Sequence, residues 1–252
     1  MKKFTSNKNI AYFVGIIAFL LIWWIISLII NEKTLIFPDP FSTFKKAIEI
    51  LGSSYVYKCI VHSLLRLLIG FSISLILALV LGIIAGNNSF FKNSLVPFIS
   101  FLKSIPTAAL VFLFLIILGA NNAPIIIVSM ISFPVLYESV VAGIENIGED
   151  IKDAIKLEST STLKKIIKIQ IPLMFPYLLV GIASSFALSF KIEIMAEIIT
   201  GSTKNGLGCA ILAAQKNDPT NMLPIFAYSL IAITLMFLIT LSFKKISQRC
   251  AK

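Results

Sequence analysis

The chain has 252 residues, 58% of them hydrophobic and only 13% charged, with a mean hydropathy of +0.95. That composition, with its long uncharged apolar runs, excludes a soluble globular domain of any size and places the chain among membrane proteins. A net charge of +10 would point to nucleic acid in a soluble protein, but here the membrane topology accounts for it and no nucleic acid is expected as a partner.

Crossing a hydrocarbon core of about 30 Å takes roughly 20 apolar residues as a helix, because every backbone polar group must be satisfied within the segment. Such runs occur at 11–30, 60–85, 95–119, 123–143, 173–200 and 222–243. The expected fold is therefore all-α and polytopic, with about six transmembrane helices. The first run follows Lys2, Lys3 and Lys8 as a signal peptide would, but it is long for one. The sequence NEKTLIFP beyond it has no small-residue cleavage pattern, so it reads as a retained span. Pro106, Pro134 and Pro176 fall at or inside the runs and predict kinks or short discontinuities.

Lysine and arginine set the orientation. Lys2, Lys3, Lys8, Lys92, Lys152, Lys156, Lys164, Lys165, Lys168, Lys244, Lys245, Arg249 and Lys252 fall on one side. Lys33, Lys45, Lys46, Lys58, Lys204 and Lys216 fall on the other. The bias predicts a multi-pass protein of the cytoplasmic membrane with both termini in the cytoplasm.

In that topology residues 144–171 form the one long cytoplasmic loop. Taken as a helix, it puts Ile155, Ser159, Thr162, Leu163, Ile166 and Ile169 on one face and Lys164, Lys165 and Lys168 opposite. Ser159-Thr160-Ser161-Thr162 compete for backbone hydrogen bonds or are β-branched, which predicts a break between two short helices. Pro172 suits the first turn of the next span. An amphipathic stretch of this kind either lies in the lipid interface or docks into a groove on a partner, and periodicity leaves both open.

Arg66, Lys103, Lys191, Glu193 and Glu197 lie within or beside the apolar runs, where charges are costly and usually face a bundle interior or water. Glu193 and Glu197, four apart, share a helix face. With Arg66 they are expected to line a translocation path or form a gate. The alternative is that Arg66 and Lys103 snorkel or pair structurally and that the others sit near the outer water boundary. Gly206-Leu207-Gly208 lacks a third glycine and a preceding strand, so it reads as a turn. Cys59, Cys209 and Cys250 are scattered and His62 has no second histidine, so no metal site is expected. No GxxxxGK[ST] phosphate loop occurs, so energy for uphill transport must come from another subunit or from an ion gradient.

The loop also carries a spacing pattern. DAIKLESTSTLKKIIKIQIP at 153–172 resembles the signature loop of ABC importer permeases, Glu-Ala-Ala, three residues, Gly, nine residues, Ile, one residue, Leu-Pro. Asp153, Ala154 and Ile155 take the first positions, Ser159 the glycine position, Ile169 the isoleucine and Ile171-Pro172 the last two. The spacing matches in full, while Asp for Glu, Ile for Ala, Ser for Gly and Ile for Leu depart from it. HSLLRLLIGF (62–71), LGIIAG (81–86), LVPFISFLKSIPTAAL (95–110) and FALSFKIEIMAEIITGSTKNGLG (186–208) are similar to segments of the nitrate, sulfonate and taurine branch. So is FPDPFSTFKKAIEIL (37–51), and all the segments come in the same order. Ala196-Glu197 matches an Ala-Glu that recurs there.

The resemblance implies a single permease domain over 1–252, with its core at 57–245. This would be one half of a homodimer that works with two ATPase subunits and an extracytoplasmic substrate-binding protein. In such a protein the loop residues Asp153, Ala154, Ile155, Leu157, Glu158, Ser159, Ser161, Ile169 and Pro172 form a coupling helix seated in the ATPase. Asp153 and Glu158 would face basic residues, and Ile155 and Leu157 an apolar pocket. The chain itself is then no enzyme and carries no cofactor, ATP and Mg being bound by the partner. The expected solute is a nitrate-, sulfonate- or taurine-like anion or a thiamine-precursor-like molecule. The alternative is an ion-gradient-driven secondary transporter or a channel. An intramembrane protease is a poor alternative, since no predicted span contains an Asp and His62 has no GxSG partner.

Overall fold

In a computed structural model, which describes residues 8–30, 36–157, 161–201 and 205–250, helices are the only regular element among the described residues. They are α1 (Lys8–Ile30), α2 (Pro40–Leu51), α3 (Ser54–Asn87), α4 (Ser89–Ser104), α5 (Thr107–Glu145), α6 (Glu149–Leu157), α7 (Thr162–Lys165), α8 (Ile171–Thr200), α9 (Leu207–Asn217) and α10 (Leu223–Cys250). A π-helical turn, Ile166–Gln170, joins α7 to α8.

Five helices among the described residues are long and apolar enough to cross a membrane: Phe13–Ile30, Ser54–Asn87, Thr107–Glu145, Thr162–Thr200 and Leu223–Ser242. The six runs in the sequence reduce to five helices because of where the chain breaks between 95 and 143. Ile105 is extended (φ −71°, ψ 128°) and Pro106 follows it, so α4 stops at Ser104, as the restriction on the residue before proline requires. A second break lies within α5, at Gly119 (φ 73°, ψ 169°), a conformation open to glycine and strained for other residues. A straight helix would hold Val111 and Ile127 about 24 Å apart, yet both belong to one buried cluster with Ala123, Ile192 and Ala196, so the chain turns back at Gly119. The third pass is thus α4 continued by Thr107–Leu118, and the fourth is the remainder of α5. Pro134 and Pro176 lie inside α5 and α8 without ending them.

The helices gather into two compact units. The first comprises Met1–Lys58 and Ala210–Thr234. Here Trp23 Nε1 donates to the Pro38 carbonyl at 3.1 Å and Ser27 Oγ to that of Phe37 at 3.2 Å, fixing Phe37 and Pro38 against α1. Phe226 packs tilted against Trp23 and edge-on against Phe37. Asp39 caps α2, accepting from the Ser42 amide at 2.9 Å, with Pro40 in the first turn. Most apolar side chains of α1, such as Phe13, Phe19 and Ile29, point outward, as a lipid-facing helix demands.

The second unit comprises Cys59–Cys209 and Leu235–Lys252. Its core is a sandwich of α3, α5 and α8. Phe71 packs on Phe186, and Asn87 exchanges hydrogen bonds with Gln170, so α3 and α8 run antiparallel. Gly82 and Gly86 let α3 lie directly on Val140 and Ile144 of α5, where a Cβ would come within 2.7–2.9 Å of those side chains. This is the small-xxx-small contact by which helices approach closely in lipid, where no hydrophobic effect drives them together. Ser132 and Ser189 join α5 to α8 hydroxyl to hydroxyl at 2.5 Å. Val140, Ile144, Ile147, Met174 and Leu178 fill the core below.

Candidate functional site

Two groups of residues singled out in the sequence are built differently. The first is a buried junction. Glu197, one turn from the end of α8, has no exposed surface. Its carboxylate accepts from Ser63 Oγ at 2.8 and 2.9 Å, from Arg66 Nη1 at 2.6 Å and from the Gly208 amide at 2.8 Å. Arg66 Nη1 also donates to the Asn205 carbonyl at 3.0 Å, and the Leu207 amide donates to Ser63 Oγ at 2.8 Å. Ser63 and Arg66 sit three apart on α3 and so present one face to α8. The amides of Leu207 and Gly208 are the unpaired donors of the first turn of α9, where a carboxylate is favoured by hydrogen bonding and by the helix dipole. The junction therefore ties three elements, α3, α8 and the start of α9, to one buried anion.

Gly206 and Gly208 make room for it. A Cβ on Gly206 would come within 2.5–2.6 Å of the Glu197 carboxylate, and one on Gly208 within 2.6 Å of Glu197 Cβ. The Gly-Leu-Gly that reads as a plain turn in the sequence is the seat of the carboxylate. Ser63, Asn205 and the two glycines are what sequence reasoning missed. The available signal was Ser63 three residues before Arg66, together with a Gly-x-Gly just after a span that carries a glutamate in its last turn.

Glu193 shares the α8 face with Glu197 and is equally buried, yet neither of its carboxylate oxygens has a hydrogen-bond partner. Arg66, Glu193 and Glu197 thus meet inside the helix sandwich. Lys191 is exposed on α8. Lys103 pairs with Glu138 of α5 at 2.5 Å, a partner that the sequence reading did not single out.

The second group is the loop. α6 ends at Leu157, Ser161 is extended and α7 begins at Thr162, but α7 runs on through the π turn into α8, so the second of the two short helices expected is the start of a span. Glu149 and Asp150 lie in the first turn of α6, where acidic side chains complement the helix dipole. Lys152 Nζ donates to the Glu145 carbonyl at 2.7 Å and holds α6 to the end of α5. Asp153 and Ala154 are exposed, Ile151 is 42% exposed and Leu157 87%. Ser161 and Pro172 are exposed and Ile169 is half-buried. Glu158 and Ser159, and the side chain of Ile155, lie outside the described residues. The π turn gives the Ile171 amide a bond to Ile166, five residues back, just ahead of Pro172, which has no amide to offer.

Residues 78–252 match the family of binding-protein-dependent transport system inner membrane components. The chain belongs to this family. It is a permease component of an ABC importer, built of several apolar membrane-crossing helices. The chain is 28% identical over 198 residues to a bicarbonate transport system permease of Synechococcus elongatus, covering 73% of this chain and 70% of that one. It is 22% identical over 253 residues to a putative aliphatic sulfonates transport permease of Bacillus subtilis, covering 99% and 90%. Over 151 residues it is 26% identical to a nitrate import permease of Leptolyngbya laminosa, covering 59% and 53%. The permease also shares its fold with a chain of the inward-facing MetNI methionine ABC transporter, with a TM-score of 0.68 at 14% identity over 79% of this chain and 97% of that one.

Proposed function

We propose that this permease forms the path for a small anion and is driven through α6 by a separate ATPase. The observation that carries this reading is α6 itself. It is a nine-residue helix set off from the spans, acidic at its start, with Ile151 and Leu157 turned outward where an isolated chain gains nothing from them. A groove on a partner would bury both. The chain has no phosphate loop of its own, so ATP and Mg belong to the partner.

The same reading takes the rest of the assembly to be a second copy of the chain and an extracytoplasmic binding protein that confers affinity, with both termini in the cytoplasm, as the lysine and arginine bias favours. The named solutes of three relatives, bicarbonate, aliphatic sulfonates and nitrate, favour a small anion here. Arg66 and Glu197 serve as an interhelical tie in this reading, not as a gate open to solute, because every acceptor of Glu197 is turned inward and occupied. Purification of the tagged chain from its native membrane in mild detergent tests the proposal. An ATPase bearing a phosphate loop should accompany it and hydrolyse ATP; its absence would leave the ion-gradient alternative.

A further inference from the structure

Lys103 of α4 and Glu138 of α5 form an ion pair at 2.5 Å in which the side chains are 46% and 51% exposed. No charged residue lies between them in the sequence. A second pair, Lys92 with Glu145 at 2.5 Å, joins the far ends of the same helices. Glu138 precedes Glu145 by about 10 Å of helix rise, with only Ser139 and apolar residues between. The inner pair therefore stands within the apolar length of α5.

Charges at that depth are too costly to face hydrocarbon; they face a bundle interior or water. These two are not enclosed by their own chain. Glu138 stands on a ridge between two open cavities, one of about 270 Å³ toward α4 and one of about 460 Å³ toward α8. Ser100 lines the first, Ser139 and Tyr177 the second, and Ala142 both. The walls of both cavities are otherwise mostly apolar, so the carboxylate between them is the group that calls for water there.

We infer that the Lys103–Glu138 pair lines the aqueous translocation path and sets its preference for anions, Glu138 occupying Lys103 until an anion takes its place. A solute anion offers Lys103 the same kind of acceptor oxygens, so the ammonium keeps a counter-ion while the displaced Glu138 carboxylate, half exposed, turns to the water of the path. The inference rests on the reading above that this chain conducts a solute, and it names the residues that the solute meets.

Thiol reactivity in membrane fragments open on both faces tests it, in a Cys250→Ser background that keeps the buried Cys59 and Cys209. Glu138→Cys and Ala142→Cys are compared with Ile116→Cys, which replaces an 84% exposed apolar side chain of α5. Membrane-impermeant charged methanethiosulfonates should modify the first two at least tenfold faster than the third. Ala142→Cys keeps the ion pair intact, and a rate there no faster than at Ile116→Cys overturns the aqueous path even if Glu138→Cys fails to insert.

The anion preference is read at Ala142→Cys as the rate ratio of an anionic to a cationic reagent. Glu138→Gln should raise this ratio about tenfold and Lys103→Gln should lower it; an unchanged ratio in both overturns that role. Fast modification in a chain that brings no ATPase through purification would keep the path and reject the importer drive, so the two failures are distinct.

Discussion

Arg66 of α3 and Glu197 of α8 meet through a single contact of 2.6 Å between Nη1 and Oε1, and the carboxylate in it has no exposed surface. Removing either partner strands a buried charge, which typically costs about 3–5 kcal/mol. Glu197→Ala and Arg66→Ala should each lower the thermal unfolding midpoint in detergent markedly. The double variant should lose less than the sum of the two, because the groups share one network. Strict additivity would show that the residues act separately.

The glycines beside this junction predict a second non-additive pair. Gly206→Ala pushes a methyl into the Glu197 carboxylate and should destabilise by about 1–3 kcal/mol, the usual range for overpacking. In a Glu197→Ala background the same substitution has space and should cost far less. Equal losses in the two backgrounds, measured as unfolding midpoints, would place the carboxylate elsewhere.

Glu193 should behave in the opposite way to Glu197. It is buried without a hydrogen-bond partner, and a polar group buried in that way costs stability that an apolar side chain of similar volume does not. Glu193→Met should keep or raise the unfolding midpoint while Glu197→Met lowers it. Similar losses in both would mean that the two carboxylates do one job.

The contrast between these glutamates shows where sequence reading stops. Long apolar runs are legible because lipid forces each crossing segment to satisfy its own backbone, and the extended Ser161 ahead of Thr162 is legible because such side chains compete for that backbone. Glu193 and Glu197 look alike in sequence, four apart on one face. What separates them is Ser63, 134 residues away, and the amide of Gly208. Lys103 gave no sign of Glu138, since their pairing depends on the chain breaking at Pro106 and reversing at Gly119. Where local chemistry fixed the outcome the sequence was readable, and where a distant donor fixed it the sequence was not.

Asp39 gives a pH-dependent test. Partial burial pushes its carboxyl up, but hydrogen bonds from Ser42 and the neighbouring backbone outweigh that and hold it below the ordinary aspartate value. A carboxyl lowered in the folded state contributes stability that is whole above its unfolded pKa of about 3.9 and fades as pH falls through the folded value. Protection of the Ser42 amide against hydrogen exchange should therefore drop below about pH 4 in the native chain. In Asp39→Asn it should be flat with pH; an identical pH profile in that variant would remove Asp39 as the cap.

The docking of α6 is tested most directly at Leu157, which is 87% exposed and can change without disturbing the spans. The native chain and Leu157→Glu would be purified side by side from membranes in mild detergent and the accompanying ATPase quantified per permease. The account predicts equal insertion of both chains and at least a tenfold loss of ATPase from Leu157→Glu. Retention of the ATPase at the native ratio would contradict it.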